Sequence, residues 1–590
     1  MRLWLVVLLA FLGLGLVVYA PSLTGPWQFD DKRVVLDPKI RERETVGGFL
    51  AASLLPGGVD SLVGEMNRGP LGTRSLVHAT FLAQWQLHGE TTWPYHVFNV
   101  GVHAVTAWLV FILIGQILAS NWLSVFGGLV FLLHPVQSQA VAYISQRFES
   151  MAAMFYLAAV VLYLKARKLE IRNSKLEIAS YAGAWLAGVA AASSKEIAIT
   201  LPIILIVLEI LVIRKRWSVR QSLILVMFWL IPVKIVAQVI FSTDWGGQAP
   251  TVGDIGRQLA VVERQDPAMT RWTYLLTQFN VVRTYWRLLV VPVRQSLDYD
   301  YPLQVGWDAK TLASLGLHLA IWGIGIWMWR KKQPGVTLGI AWFYLVLLPT
   351  SSVIPIRDLI YEHRVYLALA GGVILLTQLI FNFQFTIFNK FTIFKKYIPI
   401  FGIGLLTIYA GLTMARNTVW ASEVKLWEDA WKKGPNKDRT NKNYGFVLTD
   451  AGRLKEGIVR LERAVELNPE DQDYRITLGA AYLQAKDWDK AKAQFEKAVE
   501  LRPAKADGWN NLGVAEFQLK RYEESKIAFE TALKKDPEFY MAWLGLGGVE
   551  IVLKDFAAAE TALKKAMEIE PNGQEAQRNF AILQRLRLGK

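Results

Sequence analysis

Apolar and polar positions follow two different patterns along this chain. Up to about residue 417, long runs of Leu, Ile, Val, Phe and Trp succeed one another with short polar breaks; beyond it, apolar residues thin to stripes among Lys, Glu, Asp and Ala. A helix needs about 20 apolar residues to cross a bilayer. Such runs lie near 3–20, 96–118, 121–138, 150–165, 179–193, 197–213, 219–241, 309–329, 336–354, 365–381 and 397–415, about eleven spans. The stretch 272–292 is also apolar, but Arg283 and Arg287 interrupt it, which predicts a re-entrant or interfacial helix. The first run, Leu3 to Ala20, lacks the second small residue of a cleavage site and is followed at once by Pro21, so it reads as a retained span.

The striped region has a period. Pro435, Pro469, Pro503, Pro537 and Pro571 stand 34 residues apart, the period of tetratricopeptide (TPR) helix pairs. Small residues recur in register at Gly445, Gly479, Gly513 and Gly547, and at Ala464, Ala498, Ala532 and Ala566. Bulky residues recur at Leu461, Phe495, Phe529 and Leu563. Small residues let paired helices approach closely, and the bulky residue fills the gap. This predicts four full repeats over 438–571, a half repeat from Trp420 to Gly434, and a closing helix over 573–588. The expected fold is all-α: a polytopic helical bundle over 1–417, then a TPR α-solenoid over 418–590. Such a solenoid offers a concave surface to a peptide or protein partner; a spacer or a homodimer surface is the plainer alternative.

Charge adds orientation. The net charge is +15, but many of the basic residues lie in short loops between runs, where they set topology rather than bind nucleic acid. The clusters Lys165/Arg167/Lys168/Arg172/Lys175, Arg214/Lys215/Arg216, Arg330/Lys331/Lys332 and Lys390/Lys395/Lys396 all fall on one side, which is the cytoplasm. With an odd number of spans the repeats lie outside, in the periplasm if the membrane is a bacterial inner membrane. The long loops 21–93 and 242–308 lie on that side too. The chain has no cysteine, so disulfides, thiolate catalysis and cysteine-bound zinc are excluded. It also has no GxxxxGK[ST] loop and no HExxH helix, which argues against an ATP-driven pump or a zinc protease.

Candidate chemistry gathers at the expected outer ends of the runs. Asp30 and Asp31 follow the first span directly. Adjacent carboxylates there suit a base that takes a proton from an acceptor hydroxyl, or ligands of a divalent metal, which the sequence does not require. His134, Arg147, Glu149, Lys195, Glu196, Glu362, Arg364 and Tyr366 stand at other outer ends. Ionisable groups near membrane depth are costly, and several on one face suggest a shared cavity. A lipid-linked phosphate suits that cavity: Arg and Lys hold the phosphate, and a carboxylate handles the hydroxyl.

Phe29-Asp30-Asp31 with Asp37-Pro38, Tyr95-His96, Asn99, His103, Leu133-His134-Pro135-Val136, Ala140-Val141-Ala142, Arg147-Phe148-Glu149, Ser194-Lys195-Glu196 and Glu362-His363-Arg364-Val365-Tyr366, in that order and followed by TPRs, resemble the GT-C membrane glycosyltransferases. The nearest likeness is to the transmembrane, TPR-containing O-mannosyltransferases and their bacterial relatives. The resemblance implies transfer of a sugar from a polyprenyl-phosphate carrier to an acceptor hydroxyl, on a protein or a surface glycan, outside the membrane. It implies that the acidic pair is catalytic, with one of Asp30 and Asp31 the base. Three positions depart from the family pattern: Gln139 replaces a frequent Glu, Gly69-Pro70-Leu71 replaces Arg-Pro-Leu with Arg68 displaced by one, and Ala368 replaces Pro. These bear on the identity of the donor more than on the reaction. The competing reading is a non-catalytic membrane-anchored TPR scaffold for envelope or pilus assembly; a transporter ranks below both.

Overall fold

Pro135 sets the shape of the third apolar run. A residue before proline is driven out of the helical region, and His134 is extended there (ψ 124°), so Asn121–Leu133 and Pro135–Ala142 form a pair bent by 48° rather than one straight helix. Similar local chemistry ends or starts the other elements. Trp93–Leu118 and Pro334–Leu347 begin with proline in the first turn, where a missing N–H costs nothing. Ser218 and Gln221 form a capping box that starts Val219–Phe228.

The computed structural model describes residues 2–35, 46, 74–169, 174–213, 218–241, 268–386 and 398–588. Every regular element among them is helical. The chain divides into two compact units, Met1–Glu423 and Val424–Lys590.

In the first unit, six helices are long and apolar enough to cross a membrane: Leu3–Ser22, Trp93–Leu118, Ile144–Leu169, Glu196–Ile213, Ala309–Arg330 and Pro399–Trp420; the bent pair makes seven. The other four expected spans fall on less regular helices. Ser174–Ala192 is a single helix outside that set, 219–241 is broken into Val219–Phe228 and Leu230–Phe241, Pro334–Leu347 has only 14 residues, and Ala368–Asn382 is likewise short. By length and hydropathy these four do not qualify as single straight spans. The interrupted stretch 272–292 is one helix, Arg271–Val290, which is not among the candidate spans.

Close approaches hold this unit together. A Cβ on Gly339 would meet Gly371 O at 2.7 Å, and one on Gly371 would meet Gly339 O at 2.7 Å, so Pro334–Leu347 and Ala368–Thr386 pack backbone to backbone. The Phe11 ring lies over Gly128, where a Cβ would come within 2.7 Å of it, so the first helix is built into the core. A buried ion pair joins two helices: Arg167 Nε and Nη2 donate to the two oxygens of Glu209 at 2.6 and 3.0 Å, and Tyr163 Oη donates to Glu209 Oε1 at 2.6 Å.

Ile144–Leu169 has 26 residues, about 39 Å at 1.5 Å each. It carries Arg147 and Glu149 at one end and Lys165, Arg167 and Lys168 at the other, so the candidate site and the basic cluster occupy opposite ends of one helix. Arg172, Arg214, Lys215, Arg216, Lys390, Lys395 and Lys396 lie outside the described residues, as do Asp37, Pro38 and the stretch 68–71.

In the second unit the 34-residue period becomes four helix pairs, from Asp438–Asp450 with Leu454–Leu467 to Tyr540–Leu553 with Phe556–Ile569, preceded by Glu423–Lys433 and closed by Gln574–Arg587. The glycine and bulky positions meet as expected: a Cβ would lie 2.7 Å from Leu461 at Gly445, 2.5 Å from Phe495 at Gly479, 3.0 Å from Phe529 at Gly513 and 2.7 Å from Leu563 at Gly547. The periodic prolines have a second use. Asn441, Arg475, Trp509, Trp543 and Gln577, each six residues on, donate a side-chain hydrogen bond to the proline carbonyl.

Candidate functional site

The acidic pair closes a tight turn after the first span. Asp31 N donates to Gln28 O at 2.8 Å, and Gln28 N donates back to Asp31 Oδ2 at 3.1 Å. Asp31 Oδ1 accepts from Ser145 N at 2.7 Å, and the residue is fully buried. Between them Phe29 adopts φ 46°, a left-handed conformation that is strained for an aromatic residue. Asp30 is only partly buried; its N–H donates to Tyr143 Oη at 2.9 Å, and the Tyr143 ring stacks on Trp420 at 5.8 Å. Gln28 Nε2 donates to Trp420 O at 2.5 Å. The turn is thus fastened to the 143–146 segment and to the end of helix Pro399–Trp420. Burial pushes the Asp31 carboxyl up to about 7, outweighing the hydrogen bonds from Gln28 and Ser145, which act the other way.

The other candidate residues sit where helices break into 3₁₀ turns. These turns are Pro135–Gln137, Ile144–Gln146, Glu196–Thr200 and Glu362–Val365. Irregular backbone at membrane depth is tolerated where it is buried in protein or lines a cavity. His134 caps the first turn: its Nδ1 accepts from Val136 N at 3.2 Å and its Nε2 donates to Leu289 O at 3.1 Å. Arg147 follows the second turn and is fully buried. It donates to Asn99 Oδ1 at 2.8 Å, Thr80 Oγ1 at 3.1 Å and Tyr95 O at 3.2 Å, and lies 4.4 Å from the centroids of both Phe81 and Phe98. Glu362 accepts from Gln295 Nε2, Ser296 N and Tyr299 Oη at 3.1, 2.8 and 2.6 Å, pinning the 295–299 loop. Arg364 donates to the Asp358 and Leu359 carbonyls at 2.7 and 3.3 Å. Tyr366 donates from Oη to His103 Nδ1 at 2.8 Å, while His103 Nε2 donates to Leu132 O at 3.0 Å.

Two ion pairs are less enclosed. Lys195 Nζ meets Glu149 Oε2 at 2.5 Å, with the lysine side chain 16% exposed. Arg74 meets both oxygens of Glu196 at 3.1 Å, with its side chain 28% exposed, and lies 5.2 Å above the Phe148 ring. Burial holds His363 well below the usual imidazole range, and the charges of Lys195, Arg364 and Arg74 push the same way. His363 N donates to Gln139 Oε1 at 2.9 Å. Six buried polar atoms from these segments have no hydrogen-bond partner among the described residues: Gln137 Oε1, Ser138 Oγ, Gln139 Nε2, Ser145 Oγ, Glu149 Oε1 and His363 Nδ1. Buried polar groups are rarely left so in a folded protein.

The acidic turn and the cations are neighbours through the chain. Asp31 is bonded to Ser145, and Glu149, bonded to Lys195, is four residues further on. Four residues of helix rise about 6 Å. The sequence did not single out Arg74, Asn99 or Tyr143 as site residues. Arg74 stands alone before helix Ser75–His88, and nothing local marks it. Among the described residues, no three His, Asp or Glu side chains group as metal ligands.

Tetratricopeptide-repeat family models match residues 448–512, 506–539 and 527–573. A protein O-mannosyl-transferase of Caenorhabditis elegans is 25% identical over 472 residues, covering 78% of this chain and 63% of its own length. The protein O-mannosyl-transferase TMTC3 of Homo sapiens is 24% identical over 508 residues, covering 80% of this chain and 52% of its own. The chain thus spans between half and two thirds of the length of these relatives. Among solved structures, MamA aligns with 26% of this chain and 89% of its own at 22% identity and a TM-score of 0.24.

Proposed function

We propose, from its kinship with protein O-mannosyl-transferases over about four-fifths of its length, that this multi-pass membrane protein is a glycosyltransferase. It moves a sugar from a polyprenyl-phosphate carrier to an acceptor hydroxyl on the extracytoplasmic face, in an inverting displacement. The repeats, on the same face, bind the acceptor protein or a partner that delivers it. In a bacterial cell the membrane is the inner membrane and the repeats are periplasmic.

One observation carries the assignment of roles within the pair: both Asp31 oxygens are engaged by backbone N–H groups in a buried turn, whereas Asp30 is partly open. Asp30 is therefore the base that takes the acceptor proton as the anomeric carbon is attacked, and Asp31 holds the turn that presents it. The donor phosphate is held by Lys195 and Arg74, the cations of the two partly exposed ion pairs. Arg364 and His363 line the same side, and the unpartnered polar atoms around Gln139 and Glu149 receive donor oxygens and hydroxyls. Arg147, His134, Glu362 and Tyr366 spend their polar atoms on backbone and neighbouring side chains, and act as positioning residues. Glu196 and Glu149 orient the two phosphate-binding cations.

The test is transfer in reconstituted membranes from polyprenyl-phosphate mannose, the sugar suggested by the relatives' names, with other polyprenyl-phosphate sugars in parallel. Asp30→Asn is expected to insert and fold but lose about 10²–10⁴-fold in rate. Transfer at the parent rate by Asp30→Asn would sink the catalytic reading and leave a membrane-anchored TPR scaffold in its place.

A further inference from the structure

A cavity of about 450 Å³ lies between helices Ser174–Ala192 and Val219–Phe228, lined by Ile178, Tyr181, Trp185, Ile224, Met227 and Phe228. Two contacts fix its axis. Arg220 Nη2 meets Glu177 Oε1 at 3.1 Å at one end, and Trp185 Nε1 donates to Met227 O at 3.3 Å toward the other. Further along, Lys234 of the following helix Leu230–Phe241 donates from Nζ to Ser193 Oγ at 2.9 Å, just past the end of Ser174–Ala192 and two residues before the candidate site's Lys195. The Arg220 end is therefore the end away from that site, where Lys165, Lys168 and Lys175 also lie.

The cavity has the make-up of a lipid site. Its floor is rigid: Tyr181 and Phe228 pack edge-on against Tyr163 at 5.7 and 5.9 Å, and Tyr163 is tied to the buried Arg167–Glu209 pair. Its rims are apolar and exposed, with Ile178, Leu186 and Met227 all at least half open. Its mouth is cationic. Arg220 offers five N–H donors; Glu177 takes one of them in the ion pair, and the side chain is 53% exposed. In the chain, Arg214, Lys215 and Arg216 come three to five residues before this helix begins at Val219. An apolar slot for one chain beneath a guanidinium matches an anionic headgroup, and anionic lipids favour the basic side of a membrane.

We propose that this groove binds one anionic phospholipid of the leaflet at the basic end, its acyl chain along Tyr181 and Ile224 and its phosphate on Arg220. The site is separate from the sugar-transfer site and independent of that reading, because it sits at the other end of the helices. Its function is to seal the seam between two helices that are broken or only moderately apolar.

The test is native mass spectrometry of the full-length protein in detergent, incubated with phosphatidylglycerol or phosphatidylcholine of identical acyl chains. One phosphatidylglycerol is expected to remain bound at energies that strip phosphatidylcholine. Ala182→Trp, which fills the groove, is expected to lower retention of both lipids. Arg220→Gln is expected to reduce the preference for phosphatidylglycerol about tenfold, the scale of one charge-assisted hydrogen bond. Should Ala182→Trp fail to fold, the wild-type preference and its loss in Arg220→Gln decide the matter. Equal retention of the two lipids by the wild type overturns the proposal. So does displacement of phosphatidylglycerol by polyprenyl phosphate, which would assign the groove to the donor's tail.

Discussion

At the scale of single residues, adjacent acids of one kind have different surroundings and so different expected losses. Asp31→Asn keeps the size of the side chain but offers only one oxygen to two backbone donors, so it should destabilise the fold by about 1–3 kcal/mol. Asp31 also confers a pH dependence. Its carboxyl binds a proton more tightly in the fold, near 7, than in the unfolded chain, near 4. Its contribution to stability is therefore full below about pH 4 and is lost as pH rises through about 7. Melting temperatures from pH 4 to 8 should fall more steeply for the parent than for Asp31→Asn; parallel curves would show that Asp31 does not titrate in this way. A third substitution concerns the phosphate. Arg74→Lys keeps the charge but loses the two-pronged pair with Glu196. It should raise the donor KM about tenfold with little change in melting point. An unchanged KM would remove Arg74 from the donor site.

At the scale of elements, the repeats offer the cleanest test because their interiors recur. A Cβ at Gly513 would stand 3.0 Å from three atoms of the Phe529 ring, tighter than ordinary contact. Gly513→Leu should overpack that pair and cost about 1–3 kcal/mol. Repeat stability is close to additive along a stack, so fragment 424–590 should melt lower yet stay largely helical by circular dichroism. An unchanged melt would mean that the register of small and bulky positions is wrong. The bent pair around Pro135 illustrates the opposite case, in which one element is specified by a single dipeptide. His134 supplies the cap and the cross-link to Leu289 O that let the chain break there without stranded backbone groups.

At the scale of the whole molecule, the proposed function needs the candidate site and the repeats on one side of the membrane. The basic clusters predict that the candidate site and the repeats share the extracytoplasmic side, which requires an odd number of crossings. A reporter that is active only when exported, fused after Lys590, should be active. Activity of a cytoplasm-only reporter at the same point would overturn the orientation and separate the repeats from the acceptor.

The sequence by itself determined what depends on periodicity and on charge sign. A 34-residue repeat of Pro, Gly and Ala can only be read one way, because each small residue must face a bulky one for the helices to close, and the pairs Gly445–Leu461 and Gly547–Leu563 meet accordingly. Apolar runs announced a membrane bundle for the same reason, and the ends of those runs already held Asp30, Lys195 and Glu196. The number of spans was not legible, because short or broken apolar helices such as Pro334–Leu347 and 219–241 can be counted either way by length and hydropathy. Nor was the division of labour in the site. Arg147 and Lys195 are equally cationic on paper; only the fold surrounds the first with Asn99, Thr80 and Tyr95 O and leaves the second partly open. Asp30 and Asp31 are likewise equivalent in the chain. Ser145, more than a hundred residues away, supplies the N–H that occupies one of them, and contacts at that separation exist only once the helices have packed.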